Sequence, residues 1–260
     1  MTIFWMMRAM TNNKPLSIGL AWQEARAFLI REAALLVPVA LLFISIPVAL
    51  LLTLMPANIQ PGMDAAQAAK VAIPPIFGLA GLAVGLLMLI GLLTLYALAL
   101  KPQISVREAL QLAVRRLPVA IGATLCIMAA LFIPGALVAS VSRPAGEALM
   151  IVLGAVISVR LATLDAVIVD TQDGPVNAAK RAWAHSRGNA LRILAVVAMV
   201  GVALFAAMMT VQVVFGLVGL AFGGAAGVRP AGALGAAVAL GLGRVLIAAM
   251  MARIYRQIEG

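Results

Sequence analysis

The sequence has little charge and few of the side chains that build hydrolytic or metal-dependent active sites. Of its 260 residues 11% are charged, nine are acidic, one is histidine and one is cysteine. The patterns GxxxxGK[ST], HExxH and GxSxG are missing, and no pair of carboxylates is expected at one depth. His185 lacks the partners of a metal cluster, and Cys126 alone cannot form an intrachain disulfide. We therefore predict no enzyme, no metal site and no cofactor.

The scarcity of charge also excludes a soluble domain, because a water-facing surface needs charged residues. Hydrophobic residues make up 64% of the chain and its mean hydropathy is +1.12. Apolar runs of about 18 residues or more predict transmembrane helices, since about 20 helical residues cross a hydrocarbon core of roughly 30 Å. Six such runs lie near 33–55, 71–100, 118–141, 149–169, 193–217 and 233–252, with a glycine-rich loop at 219–232 and a short basic tail.

We predict an all-α polytopic bundle of six transmembrane helices, forming one domain from 17 to 260. Residues 1–16 are expected to be a flexible N-terminal extension, within which Met10 is a second candidate start.

Three polar segments precede pairs of apolar runs and share the pattern [SP]-[IV]-x-x-A. They begin at Ser17 (SIGLA), Ser105 (SVREA) and Pro175 (PVNAA). Recurrence at the same place in the topology predicts three cytoplasmic interfacial amphipathic helices in a pseudo-threefold repeat. The three repeats cover approximately 17–100, 101–169 and 170–255.

The placement of the basic residues predicts the orientation. The formal net charge is +10, and most of the 19 Lys and Arg residues lie beside alternate membrane ends. The positive-inside rule therefore puts the N- and C-termini in the cytoplasm of a multi-pass protein of the bacterial inner membrane. Cations at membrane ends indicate anionic phospholipids as partners and argue against nucleic acid.

Four short stretches carry a family resemblance. They are RLA at 160–162, VIVD at 167–170, GPVNAAKRAW at 174–183 and SRGN at 186–189. Together they resemble the central signature of the glycerophosphoryl diester phosphodiesterase membrane domain group, which the six-span YciC-like group shares. The resemblance implies a six-span fold over about 17–255. In that family the domain is sometimes fused to a soluble phosphodiesterase barrel, which these residues do not encode, so no activity or catalytic residue is implied.

Three ionisable residues fall inside predicted spans: Arg160, Asp165 and Arg244. Such residues are costly in lipid, usually face the bundle interior, and mark candidate sites. One interpretation is that Asp165 pairs with either arginine and locks two helices together. Another is that all three share a cavity, which leaves one guanidinium for an anionic ligand such as a lipid phosphate. A third places one arginine at an oligomer interface or a water-filled cleft.

The polar segments supply candidate headgroup-binding residues, which combine cations with an interfacial tryptophan. These are Arg115, Arg116, Lys180, Arg181, Trp183, Arg187 and Arg192. Alternatively, these basic residues only set the orientation of the chain in the membrane and bind no ligand. We predict a non-enzymatic protein that binds or organises an anionic lipid or amphiphile, or scaffolds a membrane-protein partner or its own oligomer. The alternative is a secondary transporter or channel that uses Arg160, Asp165 and Arg244.

Overall fold

A computed structural model describes residues 17–54, 75–101 and 103–259. All regular structure in these ranges is helical, as predicted, whereas the predicted extension at 1–16 lies outside them. The elements in chain order are α1 (Ile18–Ala40), a π-helical turn (Leu41–Ser45), α2 (Ile46–Leu54), α3 (Pro75–Leu100), α4 (Val106–Ala139), α5 (Arg143–Arg160), α6 (Leu164–Asp170), α7 (Pro175–His185) and α8 (Ala190–Glu259).

Four continuous helices are long and apolar enough to cross a membrane. They are the helix Ile18–Leu54, α3, α4 and α8, and the bent pair α5 and α6 makes a fifth candidate. The bend between α5 and α6 is 41°. The outer surface is apolar as well: the side chains of Val141 and Phe222 are each 90% exposed. Such a surface suits lipid rather than water, so the described residues have the features of a multi-pass membrane protein.

The helix α8 folds back on itself at Gly224. At 70 residues a straight helix would be about 105 Å long, far more than any bilayer. Gly224 instead has φ 60° and ψ −156°, a conformation open essentially only to glycine. The arms 190–223 and 225–259 then run back to back so closely that a Cβ on Gly219 would overlap the Gly227 carbonyl oxygen. The predicted loop at 219–232 is therefore wrong, because one residue suffices for the turn.

The helices α4 and α5 form a second close hairpin. A Cβ on Gly146 would overlap the backbone of Ala139, and one on Gly135 would overlap the side chain of Met150. Small residues allow helix axes to approach closely, and the resulting van der Waals contact holds the pair in lipid.

Two of the three predicted interfacial helices are not separate elements. The first is the beginning of the continuous helix Ile18–Leu54, and the second is the first part of α4, which continues through Pro118. Only α7 is detached, by residues 186–189, where Gly188 has φ 81°. The physical reason is local, since only this third junction contains a glycine that can adopt the left-handed conformation that ends a helix.

The three polar segments nevertheless share a buried face. Their N-caps are Ser17, Ser105 and Gly174, and in each segment the residues four and eight positions later are alanines with no exposed surface. Positions four apart lie on one face of a helix, so each segment packs through the same pair. The register that aligned Pro175 with Ser17 is thus off by one residue. The pairs are Ala21 and Ala25, Ala109 and Ala113, and Ala178 and Ala182.

The C-terminal turns of α8 reach the beginning of the described chain. The Gln257 side-chain oxygen accepts a hydrogen bond from the Ser17 backbone N–H at 3.2 Å. The Arg256 guanidinium donates to the carbonyl of Leu100 at the end of α3. We call this the basal end of the bundle.

Two further polar contacts join α8 to α6 and α7 at the basal end. The Tyr255 hydroxyl donates to an Asp170 carboxylate oxygen at 2.9 Å. The His185 Nε2 and a Glu259 carboxylate oxygen are 3.2 Å apart. The last turns of α8 therefore contact the first and third polar segments, α6 and the end of α3.

Candidate functional site

Arg160 joins the end of α5 to the end of α7. Its guanidinium carbon lies 5.3 Å from the centre of the Trp183 ring, and its Nη1 donates to Ser186 Oγ at 3.3 Å. The Ser186 hydroxyl in turn donates to the Trp183 carbonyl oxygen at 2.8 Å. A cation over an indole face is attracted by the ring quadrupole, so Arg160 fixes the position of Trp183.

Asp165 and Arg244 lie in a different part of the bundle. The charges of Asp165 on α6 and Arg244 on α8 act on each other and on Tyr96 of α3. Arg244 also lines a cavity of about 220 Å³ with residues of the π-helical turn and α3, among them Ile44 and Met88. Asp165 and Arg244 thus lie within range of each other's charge. Arg160 contacts α7 instead, because α5 ends at Arg160 and the chain bends before α6 begins.

A groove of about 400 Å³ lies between α4, α5 and α7, and we call it the α7 groove. Most of its wall is apolar, and its cations come from α7 and the turn that follows. The lining residues are Cys126, Ile127, Ala130, Ile157, Leu161, Val176, Ala179, Lys180, Trp183 and Arg187.

The helical period of α7 explains why cations meet an apolar wall there. Val176, Ala179, Lys180 and Trp183 lie three, four and seven positions apart and share one face. The buried alanines lie on another face, toward the bundle core. The α7 segment therefore presents mixed apolar and basic side chains outward while its small residues pack inward.

The headgroup candidates divide according to this geometry. Lys180, Trp183 and Arg187 line the α7 groove and are exposed. Arg181 forms an ion pair with Asp173 at 3.2 Å. Of the others, Arg115 is exposed and Arg116 half-buried on α4, and Arg192 is exposed in the first turn of α8.

A larger cavity of about 560 Å³ lies at the basal end, and we call it the basal cavity. Sequence reasoning missed it, because its walls come from α1, the end of α3 and the turn after it, and the end of α8. No local pattern joins these segments. Its lining residues are Phe28, Arg31, Glu32, Leu35, Leu36, Leu98, Ala99, Lys101, Gln103, Ile104, Ser105, Arg253 and Arg256.

His185 is half-buried beside Tyr255 and Glu259. Its ring centre lies 5.5 Å from that of Tyr255. Burial lowers the pKa of His185 below 6.5, although the Glu259 carboxylate acts in the opposite direction. In the ranges that the structure describes, no group of three or more His, Cys, Asp or Glu residues is placed to hold a metal ion.

No protein-family model, curated protein sequence or solved structure matches this chain. The similarity to the glycerophosphoryl diester phosphodiesterase membrane domain group therefore stays a prediction from four short motifs.

Proposed function

We propose that the chain is a non-enzymatic, multi-pass protein of the bacterial inner membrane that binds an anionic phospholipid in the α7 groove. One observation carries the proposal: an otherwise apolar groove between membrane helices has Lys180, Arg187 and Trp183 on the wall formed by α7 and its following turn. An anionic phospholipid has the same division, with apolar chains and a negative headgroup, and interfacial tryptophan suits the boundary between them.

The proposed topology has six crossings. They are the helix Ile18–Leu54, α3, α4, the bent pair α5 and α6, and the two arms of α8. An even number of crossings places both termini on one side, which fits the contact between Ser17 and Gln257. The concentration of Lys and Arg beside the basal end supports a cytoplasmic location for it. The matched alanine pairs support the pseudo-threefold repeat and, with the motifs above, membership of the resembled group.

Selectivity in this groove is expected to come from charge. A lipid chain gains little by moving from bilayer to protein, because both surroundings are apolar. A basic side chain near the membrane surface contributes about 1 kcal/mol toward an anionic headgroup. Lys180 and Arg187 together would therefore favour an anionic over a zwitterionic lipid by about 2 kcal/mol, or roughly 30-fold.

Arg160 contributes to the groove indirectly under this proposal. Its contacts with Trp183 and Ser186 hold the last turn of α7 against α5. The wall that carries Lys180 is then fixed relative to the apolar wall of α4 and α5. Arg160 is a positioning residue here, and the lipid phosphate is assigned to Lys180 and Arg187.

Transport through Arg160, Asp165 and Arg244 is the alternative function. It draws less support from the geometry, because Arg160 contacts α7 whereas Arg244 lines a cavity beside α3. A path that uses all three residues needs a cavity common to them. Of the α7 groove, the basal cavity and the cavity beside Ile44, Arg244 lines only the last, and Arg160 lines none of these three.

Native mass spectrometry of the purified chain tests lipid binding. The protein is exchanged into a mild detergent and titrated with phosphatidylglycerol or phosphatidylcholine. We expect the wild type to bind phosphatidylglycerol about 30-fold more tightly, and the double variant Lys180→Gln/Arg187→Gln to lose most of that preference. The variant Arg26→Gln/Arg107→Gln changes the same amount of charge on exposed residues outside the groove and should retain it. The proposal would be refuted if the two double variants had the same preference for phosphatidylglycerol over phosphatidylcholine.

A further inference from the structure

We propose that the basal cavity is a second binding site, which takes a phosphate-bearing anion. It shares no lining residue with the α7 groove, so the two proposals succeed or fail separately.

The first argument is charge. The walls of the basal cavity carry four cations, Arg31, Lys101, Arg253 and Arg256, against the single carboxylate of Glu32. Arg31 and Glu32 form an ion pair, with Nε and Oε1 2.9 Å apart. Within the described part of the chain, three cations then line a cavity whose one carboxylate, Glu32, is already paired. Like charges gathered in a concave site raise the local positive potential and attract an anion.

The second argument is the state of Arg253. Its guanidinium carbon lies 4.9 Å from the centre of the Phe28 ring, a cation–π contact that stabilises its position. The charges that act on it are Arg31 and Arg256, which repel it, and Glu24, which attracts it. Its Nε is buried and has no hydrogen-bond partner. Arg253 also lines the basal cavity, where an oxyanion would accept hydrogen bonds from a guanidinium.

The third argument is the wall made by the turn between α3 and α4. Gln103 has φ 71°, a left-handed conformation that a non-glycine residue adopts only under constraint. Arg256 donates to the Leu100 carbonyl just before this turn, so its guanidinium is held in place. Of the cations that line the cavity, Arg253 and Arg256 are therefore already positioned by other contacts, which lowers the entropy cost of binding.

Size and lining define the class of ligand. A cavity of about 560 Å³ exceeds what one phosphate ion fills and lies within the usual range for small-molecule sites. Besides the cations it has an apolar wall that includes Leu35, Leu98 and Ile104. The ligand is thus a phosphate or diphosphate joined to an organic group. A lipid with a terminal phosphate and a soluble organophosphate share this chemistry, and the basal end is accessible to both.

Two titrations of the full-length chain in phosphatidylcholine nanodiscs distinguish these sources. In one, inorganic pyrophosphate is added in solution and binding is measured by calorimetry. In the other, phosphatidic acid is incorporated in the nanodisc and bound lipid is counted by native mass spectrometry. We expect one probe to bind with a dissociation constant at least about tenfold higher in Arg253→Gln and in Lys101→Gln.

The contact of Arg253 with Phe28 also contributes to packing, so Arg253→Gln could lose binding by misfolding. Lys101→Gln is the second variant that tests the site without removing this contact. Arg26→Gln, on the same helix as Arg31 and outside the cavity, should bind like the wild type. Pyrophosphate binding that weakens in Lys101→Gln and Arg253→Gln assigns a soluble ligand to the basal cavity, and phosphatidic acid binding alone that weakens in these two variants assigns a lipid. The proposal is overturned if neither probe binds, or if Lys101→Gln and Arg253→Gln bind as tightly as the wild type.

Discussion

The two ends of the bundle are held together by different kinds of contact. At the basal end, α8 contacts α6 and α7 through polar side chains: Tyr255 donates a hydrogen bond to Asp170, and Glu259 contacts His185. The opposite end, at Val141 and Gly224, closes its hairpins through glycine against backbone, while an exposed ion pair there, Arg143 with Glu147, lies within α5 rather than between helices. We call it the distal end.

This difference follows the surroundings of the contacts: under the proposed six crossings, the glycine contacts lie on the transmembrane arms beside the distal turns, whereas the basal contacts lie at the membrane surface. In lipid, apolar burial gives helices little reason to associate, so contact depends on how closely the backbones approach. Near water, polar groups can exchange water for one another, and each hydrogen bond adds a modest net stability. Substitutions should therefore be most damaging where they add volume at the distal end and milder where they remove one polar contact at the basal end.

The largest effect is expected from Gly219→Val at the distal hairpin. Its side chain would overlap the Gly227 carbonyl and separate the arms of α8, at a cost of about 3 kcal/mol or more. Gly223→Ala is the matched control, because a Cβ there meets no atom within 4 Å. The stability of both variants is measured as the midpoint of thermal unfolding in detergent. A Gly219→Val protein as stable as the control would contradict the hairpin.

A smaller loss is expected where Arg160 meets α7. Arg160→Ala removes the contact with Trp183 and the hydrogen bond to Ser186, and should destabilise the protein by about 2 kcal/mol. Arg160→Lys keeps the charge but not the planar group, so it should recover only part of the loss. Phosphatidylglycerol affinity measured on the folded fraction separates the stabilising contact of Arg160 with α7 from direct binding of the lipid by Arg160. An Arg160→Ala protein with normal stability and no lipid binding would show that Arg160 binds the lipid directly.

At the basal end, Tyr255→Phe should cost about 1 kcal/mol. It removes the hydrogen bond to Asp170 and keeps the ring beside His185. Chemical denaturation of the wild type and of this variant gives the difference. A loss as large as that of Gly219→Val would break the comparison between the two ends.

The smallest effect is the pH dependence that comes from His185. Burial lowers its pKa in the folded protein, while Glu259 raises it and Arg181 lowers it further. The unfolded chain therefore takes up a proton first as the pH falls below about 6.5. This part of the stability is present above that pH and is lost as the pH drops through the lowered pKa. His185→Gln should reduce the slope of stability against pH between 7 and 5, and an unchanged slope would contradict this assignment.

The sequence predicts the helices well where hydropathy decides them. Pro75–Leu100 nearly coincides with the predicted span 71–100, because a long apolar run has only one low-energy state in lipid. Boundaries set by a single residue are harder to predict. Gly224 turns the chain within a helix, and the bend between α5 and α6 falls inside a predicted span. Hydropathy averages over both features.

The candidate site was only partly predictable. Lys180, Trp183 and Arg187 follow from the basic, amphipathic pattern of α7. The partner of Arg160 does not, because Trp183 is 23 residues away and the contact depends on how α7 folds back on α5. The basal cavity has no sequence signal at all, since Phe28, Lys101 and Arg253 meet only after α8 has returned to the basal end.

Labelling of Cys126 tests the central claim most directly, because this single cysteine is exposed in the α7 groove. The rate of N-ethylmaleimide addition is followed by intact mass in detergent, with phosphatidylglycerol or phosphatidylcholine added. We predict that phosphatidylglycerol slows labelling of the wild type much more than phosphatidylcholine does, and that Lys180→Gln/Arg187→Gln abolishes this difference. Equal labelling rates with both lipids in the wild type would contradict a lipid site in the α7 groove.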